Sequence, residues 1–271
     1  MGRLGQSDRG GQTLLIALTR EVSPKLADCQ LTHLAREPID IERARFQHRA
    51  YEHALVALGC RVERLPAQPD LPDAVFVEDT AVVVEELAVV TRPGATSRRP
   101  ETDSMAVALG PYRGLAVVAA PGTLDGGDVL RLGHQVFVGR SSRSNDAGVA
   151  SLRSALEPFG YSVSSVAFDA CLHLKSAATE VAPGTLLVNP AWVEPGVFGA
   201  ERVVEVDPGE PFAANALRVG GAVLFPAAFP RTRRRLEAWG SRVVEVDLSE
   251  LAKAEGAVTC CSVVFEMNKL T

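Results

Sequence analysis

Two segments of the chain carry side chains suited to acid–base and nucleophilic chemistry. GAVTCCSVVFE places Cys260 and Cys261 at the start of a predicted C-terminal strand, and ACLHLKSAAT places His173 inside a short apolar strand. A thiol often serves only as a small core residue, and a histidine in such a strand is commonly a hydrogen-bonded structural residue. Beside an orienting carboxylate and a cysteine, however, a histidine acts as a general acid or base. Packing and catalysis are therefore the two interpretations of each segment.

Carboxylates interrupt two further apolar segments. LPDAVFVEDTAVVV carries Asp73, Glu78 and Asp79 in a predicted strand, and TLDGGDVLRL carries Asp125 and Asp128 around a glycine pair. An acid in an apolar strand is costly unless it is paired or faces a cleft. The first segment is compatible with an edge strand whose acids face solvent, but three acids among apolar neighbours favour a cation-binding pocket. The second segment by itself indicates a turn.

Two arginines occupy similar positions after successive pairs of predicted strands. TRPGATSRRPE contains Arg98 and VGRSSRSND contains Arg143. Solvated loop positions are one interpretation. The other is a clamp on a carboxylate, because the planar guanidinium donates two parallel hydrogen bonds.

These side chains must be positioned by a unit that recurs along the chain. A helix, a glycine and a β-branched strand follow one another five times, and the glycines are roughly 40 to 55 residues apart, a period typical of repeat architectures. Glycine ends the helix as a C-cap, and the Val-rich run after it has strand chemistry. The five occurrences are AYEHALVALGCRVERLP, MAVALGPYRGLAVVAAP, SLRSALEPFGYSVSSVAF, WVEPGVFGAERVVEVDP and RRRLEAWGSRVVEVDL.

Strand pairs precede several of these helices, so the repeated unit is ββαβ. One such unit does not bury its own sheet, whereas five units around an axis form a closed α/β propeller in which the last strand joins the first unit. We expect this fold for a single domain over residues 14–271, preceded by a flexible tail at residues 1–13. The chemically suited segments lie in different repeats, and a closed ring directs all of them towards its axis.

Composition limits the classes of function. The net charge of −5 argues against nucleic-acid binding, which requires clustered basic residues. No apolar run has the roughly 18 residues of a membrane span, and the N-terminus lacks the apolar region of a signal peptide. Five cysteines without framework spacing are expected to be reduced thiols in a cytoplasmic protein. A monomer and a homodimer are both compatible with the sequence.

Six motifs together resemble the dimethylarginine dimethylaminohydrolase family, from about Leu14 to Val264. The resemblance implies a five-bladed α/β propeller, the pentein fold, in agreement with the repeats. It also implies hydrolysis of asymmetric dimethylarginine or monomethylarginine to citrulline and dimethylamine or methylamine, with no metal or organic cofactor. The motifs, in order, are LPDAVFVED, TRPGATSRR, TLDGGDVL, VGRSSRSN, LHLKS and VTCCSV.

The resemblance further implies roles for individual residues. Cys260 would be the nucleophile, His173 the general acid and base, and Asp125 the carboxylate that orients the histidine. Asp73 and Asp79 would bind the guanidinium group. The remaining implied substrate contacts are Phe76 and Glu78 in the pocket, and Arg98 and Arg143 on the substrate carboxylate.

Three points remain open at the level of sequence. The segment REVSPKLADCQLTHL is expected to form a lid, with either Leu26 or Leu31 covering the substrate. An arginine deiminase, acting on free arginine, would use the same chemistry, although such enzymes carry an added helical domain. A non-catalytic pentein binding protein would share the fold, but it has no need for the thiol, the imidazole and the acids together.

Overall fold

The computed structural model describes residues 14–267, so the predicted tail at residues 1–13 lies outside the described residues. Within this range, fifteen strands form five three-stranded sheets. The strands are β1 (Leu15–Arg20), β2 (Cys60–Leu65), β3 (Ala81–Val83), β4 (Leu87–Val90), β5 (Gly114–Val117), β6 (Val129–Leu132), β7 (Gln135–Gly139), β8 (Ser162–Val166), β9 (Ala178–Ala182), β10 (Thr185–Val188), β11 (Arg202–Glu205), β12 (Leu217–Val219), β13 (Ala222–Pro226), β14 (Arg242–Val246) and β15 (Val263–Glu266).

Helices cross between strands within most of the sheets. None of those found in residues 14–267 is long and apolar enough to cross a membrane. The α-helices are α1 (Ile41–Ala57), α2 (Glu101–Leu109), α3 (Asp146–Leu156), α4 (Leu174–Ala177), α5 (Pro230–Ala238) and α6 (Ser249–Ala252). Short 3₁₀ helices span Leu26–Asp28, Val77–Thr80, Thr96–Arg98, Gly126–Asp128, Glu157–Phe159 and Pro195–Phe198.

All five sheets share one connectivity. An antiparallel pair comes first, as in β3 and β4, where Ala81 lies opposite Val90. The third strand then runs parallel to the second, as β5 does beside β4. A parallel neighbour requires a crossover connection, which α2 supplies here and α1, α3 and α5 supply in three other sheets. The predicted ββαβ unit is therefore confirmed.

The ring closes through the two ends of the described chain. β15 pairs antiparallel with β1, with Leu15 opposite Glu266, so the first sheet contains both early and late residues. The strand that begins each unit faces its neighbours around the axis: β15 lies against β3, β6 against β9, and β9 against β12. The structure is the predicted five-bladed α/β propeller.

The longest helix shows how sequence produces the local structure. Asp40 caps α1 by accepting a hydrogen bond from the backbone of Arg43 at 3.0 Å, and the turn after the helix uses Gly59 with a φ of 95°. The side chains of Tyr51 and Leu55 are one turn apart and fully buried. Burial of each large apolar side chain contributes about 1.5–3 kcal/mol, which fixes the helix against the first sheet.

The fourth unit differs from the predicted pattern. The segment WVEPGVFG forms only the 3₁₀ helix Pro195–Phe198 in place of an α-helix. Glycines at 196 and 199 disfavour continuation, and the second of them adopts a left-handed conformation that ends the turn. The crossover to β11 is therefore short, but the sheet keeps the same strand order.

Candidate active site

Cys260 lies in the turn just before β15 and not within the strand itself. Contacts from two other parts of the ring hold this turn in place. The hydroxyl of Tyr51 donates to the carbonyl of Val258 at 2.8 Å, and the backbone N–H of Thr259 donates to the Asn215 side chain at 3.0 Å. Both contacts are buried, where a hydrogen bond restricts the backbone strongly. The position of the thiol is thus defined by residues distant in sequence.

His173 is also outside a strand: it is the extended residue that precedes α4. The next residue, Leu174, donates its backbone N–H to Asp128 at 3.1 Å. The same carboxylate accepts hydroxyl hydrogen bonds from Ser141 at 2.6 Å and Ser144 at 2.7 Å. Sequence reasoning treated Asp128 as a turn residue. In the structure it is a fully buried anchor for the segment that carries the histidine.

The imidazole of His173 lies between two carboxylates. Its Nε2 atom is 3.1 Å from Asp125 Oδ2, and its Nδ1 atom is 3.7 Å from Asp79 Oδ1. Burial alone would lower the pKa of His173, but the charge of Asp79 and the hydrogen bond to Asp125 outweigh it and raise the pKa to about 10. The ring is therefore an imidazolium at neutral pH, and it carries a proton that a leaving group can accept.

Gly127 permits this close packing of charges. Its backbone N–H donates to Asp79 Oδ1 at 3.0 Å. A Cβ atom at this position would lie 2.7 Å from the His173 ring and 2.8 Å from the Asp79 carboxylate. The second glycine of the pair noted in the sequence is thus required by side chains of the protein itself, and a Cβ at the first, Gly126, would lie 2.0 Å from the backbone carbonyl of Glu78.

The predicted strand of acids is a turn followed by the 3₁₀ helix Val77–Thr80, which leads into β3. In the turn, the backbone N–H of Phe76 donates to the carbonyl of Asp73 at 2.9 Å. The Asp73 carboxylate accepts from the backbone of Gln30 at 3.2 Å. Burial raises the pKa of Asp73, although the charge of Arg98 acts in the opposite direction.

Arg98 occupies an environment that sequence reasoning did not foresee. Its guanidinium donates to Asp79 at 2.5 Å, to Glu101 at 2.8 Å and to the carbonyl of Phe76 at 3.0 Å, so each of its three nitrogens already has a protein partner. Arg98 is predicted to bind the substrate carboxylate, but in the structure its guanidinium is already hydrogen-bonded to two buried acids. Its evident effect is to hold Asp79, whose pKa stays below its ordinary value because His173 and Arg98 outweigh burial.

The side chain of Glu78 points away from that of Asp79, the next residue in the sequence. Its carboxylate accepts from Lys175 at 2.7 Å and from the hydroxyl of Thr259 at 2.6 Å. Glu78 also borders a separate cavity of about 510 Å³, which is distinct from the one that Asp79 borders. Successive residues of a 3₁₀ helix point about 120° apart, which sends Glu78 and Asp79 to different sides. Glu78 does not border the cavity that Asp79 borders, and its predicted contact with the substrate stays a prediction.

The other predicted site residues meet around one small cavity of about 20 Å³, which is room for about one water molecule. Arg143 borders it and donates to the hydroxyl of Thr32 at 3.1 Å. Glu255 borders it as well, in the segment 253–255 where the family resemblance implies a main-chain carbonyl that accepts from the substrate amine. The predicted residues at this cavity are Asp73, Phe76, Asp79, Arg98, Asp125, Arg143, His173 and Cys260.

The Cys260 thiol is protonated in this environment. Burial, reinforced by the charges of Glu78 and Asp79, raises the pKa of the thiol well above its ordinary value. The thiolate is the nucleophilic form of a cysteine, and a nearby positive charge favours it. A cation bound between the acids and the thiol would supply that charge.

Comparison with known proteins agrees with this geometry. An N(G),N(G)-dimethylarginine dimethylaminohydrolase of Streptomyces coelicolor is 44% identical over 250 residues, which are 91% of this chain and 95% of that protein. This chain belongs to the dimethylarginine dimethylaminohydrolase family. A second family member, from Pseudomonas aeruginosa, is 36% identical over 86% of this chain and 92% of its own length.

Solved structures of the dimethylarginine dimethylaminohydrolase family match the whole ring. A cysteine-to-serine mutant of the Pseudomonas aeruginosa enzyme, complexed with citrulline, superposes with a TM-score of 0.87 at 33% identity. The alignment covers 93% of this chain and 100% of that chain. No protein-family model matches the sequence. The family resemblance inferred from the six motifs is confirmed, while the roles of individual residues stay predictions.

One cluster of this family member has the composition of a metal site. Ligand atoms of Asp79, Asp125 and His173 lie within 4.8 Å of one another. A raised pKa of about 10 keeps the imidazole protonated at neutral pH, and an imidazolium has no lone pair to offer a metal. In the structure the imidazole ring itself lies between the two carboxylates, with Nε2 3.1 Å from Asp125 and Nδ1 3.7 Å from Asp79.

Proposed function

We propose that this chain hydrolyses Nω-methylated arginine to citrulline and dimethylamine or methylamine. One observation carries the proposal: the Cys260 thiol and the paired His173 and Asp125 side chains border the same buried cavity, with further acids beside them. Acids suit a guanidinium ion, a thiolate suits its electrophilic carbon, and an imidazolium suits the departure of an amine. Membership of the dimethylarginine dimethylaminohydrolase family supports the same reaction.

Substrate binding comes first in the proposed mechanism. Asp73 and Asp79 accept charge-assisted hydrogen bonds from the guanidinium group and align its central carbon with Cys260. The bound cation lowers the cost of forming the thiolate, so the substrate activates its own nucleophile. His173 already carries a proton, so the thiol proton passes to solvent water, and the neutral amine released later takes up an equivalent proton from solvent.

Attack by the Cys260 thiolate forms a C–S bond and a tetrahedral adduct. His173 then donates its proton to the methylated nitrogen, and the C–N bond breaks with release of the neutral amine. A covalent thiouronium-type intermediate remains on Cys260. The neutral His173 takes a proton from a water molecule, whose oxygen attacks the same carbon. The C–S bond then breaks, which releases citrulline and returns the Cys260 sulfur to its starting state. Asp125 and Asp79 stabilise the imidazolium at the start and end of the cycle.

Arg143 is the proposed ligand for the substrate carboxylate. It borders the cavity, and among residues 14–267 its guanidinium donates to the neutral hydroxyl of Thr32. An incoming carboxylate is a stronger acceptor than this hydroxyl and displaces it at low cost. Arg98 contributes indirectly by fixing Asp79.

The proposed setting is the cytoplasm, with the protein as a monomer or homodimer. All five cysteines are buried and free, in keeping with reduced thiols. The proposed partner is a small molecule, without a nucleic acid or a membrane.

The test compares turnover of asymmetric dimethylarginine, monomethylarginine and arginine by a colorimetric citrulline assay. We expect both methylated substrates to be hydrolysed faster than arginine. Cys260→Ser should abolish turnover while keeping the fold, because a serine hydroxyl is a far weaker nucleophile at this pH. Cys60→Ser is the matched control, since that buried thiol lies on β2, outside the cavity. Equal turnover by the Cys260→Ser variant and the parent would contradict the mechanism, and a preference for arginine would contradict the substrate class.

A further inference from the structure

The predicted lid, residues 20–34, borders one side of the cavity. Its Gln30 borders the cavity beside Asp73 and Arg143. A space of about 20 Å³ accommodates one water molecule and not a methylated arginine. Movement of the lid is therefore needed before a substrate reaches Cys260.

A single carboxylate outside the lid binds three successive backbone amides within it. Glu255 Oε1 accepts from Thr32 at 3.1 Å, from His33 at 2.6 Å and from Leu34 at 2.7 Å, and its second oxygen accepts from Thr32 at 3.0 Å. Consecutive N–H groups that converge on one anion form a concave binding site of considerable strength. The bonds are charge-assisted, so each exceeds an ordinary backbone hydrogen bond.

Glu255 makes these hydrogen bonds from an unfavourable backbone conformation. Glu255 has a φ of 59°, in the left-handed region that residues other than glycine, asparagine and aspartate rarely adopt. It lies in the turn after α6, close before Cys260 in sequence, and it borders the cavity. The side-chain bonds to the lid offset the unfavourable backbone conformation.

Two other bonds to the lid come from residues that the proposed mechanism assigns to the substrate. Asp73 accepts from Gln30, and Arg143 donates to Thr32. A bound substrate competes for both groups, so these bonds are exchanged during turnover. The side chain of Glu255 has no assigned substrate contact, and its hold on the lid is independent of that competition.

We infer that Glu255 is the latch that keeps the lid closed and so sets how fast ligands reach Cys260. Glu255 acts through the lid and is a positioning residue. The effect of Glu255 on the rate of turnover rests on the proposed function, whereas its effect on the lid can be measured without any substrate.

The experiment uses the full chain with Glu255→Gly and Glu255→Gln. Glycine removes the latch and suits the positive φ, so the variant should remain folded. Glutamine keeps one carbonyl acceptor but loses the charge, which should give an intermediate effect. Glu194→Gln is the matched control, because that carboxylate also accepts from a backbone N–H, that of Gly196 at 3.2 Å, but lies in the fourth unit.

Hydrogen exchange of the amides of residues 32–34 and the rate of Cys260 alkylation by iodoacetamide report on the lid. Mass spectrometry of peptides locates both signals. In Glu255→Gly we expect each to rise about tenfold or more, the effect of losing a hydrogen bond to a charged group. Glu194→Gln should leave both unchanged. For dimethylarginine, kcat/KM should be equal or higher in Glu255→Gly, because a loosened lid speeds binding and release without removing a substrate contact.

Wild-type exchange and alkylation rates in Glu255→Gly would overturn the latch. A tenfold fall in kcat/KM with an unchanged lid would also overturn it, by making Glu255 a substrate contact. Failure of the wild-type protein to hydrolyse any methylated arginine would refute the proposed function alone, since the exchange and alkylation results still decide the latch.

Discussion

The buried imidazolium of His173 makes stability depend on pH in a way that can be measured. The pKa of the ring is about 10 in the folded protein, against 6.5 for an ordinary histidine. Between these two values the folded state binds one more proton than the unfolded state. This contribution to stability is complete below about pH 6.5 and disappears as the pH rises through about 10.

The expected magnitude follows from the size of the shift. Each pH unit between the two pKa values changes the free energy of unfolding by about 1.4 kcal/mol per proton. From pH 7.5 to 9.5 the contribution of His173 should therefore fall by about 2–3 kcal/mol. The proximity of Asp125 Oδ2, at 3.1 Å, and Asp79 Oδ1, at 3.7 Å, is the source of the effect.

Urea unfolding of the wild-type protein and His173→Gln at pH 7.5, 8.5 and 9.5 provides the assay. Glutamine is uncharged throughout, so the difference between the two proteins isolates the histidine from lysines and tyrosines that titrate in the same range. We expect the wild-type protein to lose about 2–3 kcal/mol more than the variant over this interval. Parallel stability curves would refute the assignment of a protonated, buried ring.

Three further predictions concern the groups around the imidazole. Arg98→Met should lower the free energy of unfolding by about 3–5 kcal/mol, because it leaves buried acids unpaired; an unchanged urea midpoint with a raised KM would instead identify Arg98 as a direct ligand of the substrate carboxylate. Gly127→Ala should reduce kcat at least tenfold through displacement of the catalytic groups, while Gly221→Ala, where a Cβ meets nothing within 4 Å, should retain parent kinetics; equal kinetics in both variants would contradict the packing argument. Glu78→Gln removes a charge that raises the pKa of Cys260, so the pH midpoint of Cys260 alkylation should move lower, and a midpoint that stays in place would contradict a contribution of the Glu78 charge to the pKa of the thiol.

Much of the architecture was predictable because it depends on local chemistry repeated along the chain. A glycine after a helix and a β-branched run after the glycine indicate a helix-to-strand connection, and four of the five occurrences form one with an α-helix, the fourth unit having only a 3₁₀ helix. Five such connections leave few alternatives to a closed ring. The ring in turn brings Cys260 and His173 to one cavity, although they are distant in sequence.

The sequence did not predict the direction in which individual side chains point. Glu78 and Asp79 are adjacent and chemically alike, yet only the geometry of a 3₁₀ helix decides which of them faces the cavity. The partners of Arg98 depend on the helix that follows it, which supplies Glu101. Glu255 has a positive φ without being a glycine, so no sequence pattern indicates its turn or its bonds to the lid.

The pairing of β15 with β1 has a consequence for biosynthesis. Asp73, Asp79, Asp125 and His173 are all synthesised before the ribosome reaches Cys260 and the strand that closes the ring. The proposed nucleophile and the strand that closes the ring therefore emerge last and almost together. If Cys260 has the proposed role, a chain that stops before residue 260 lacks both the thiol and ring closure, and we expect it to be inactive.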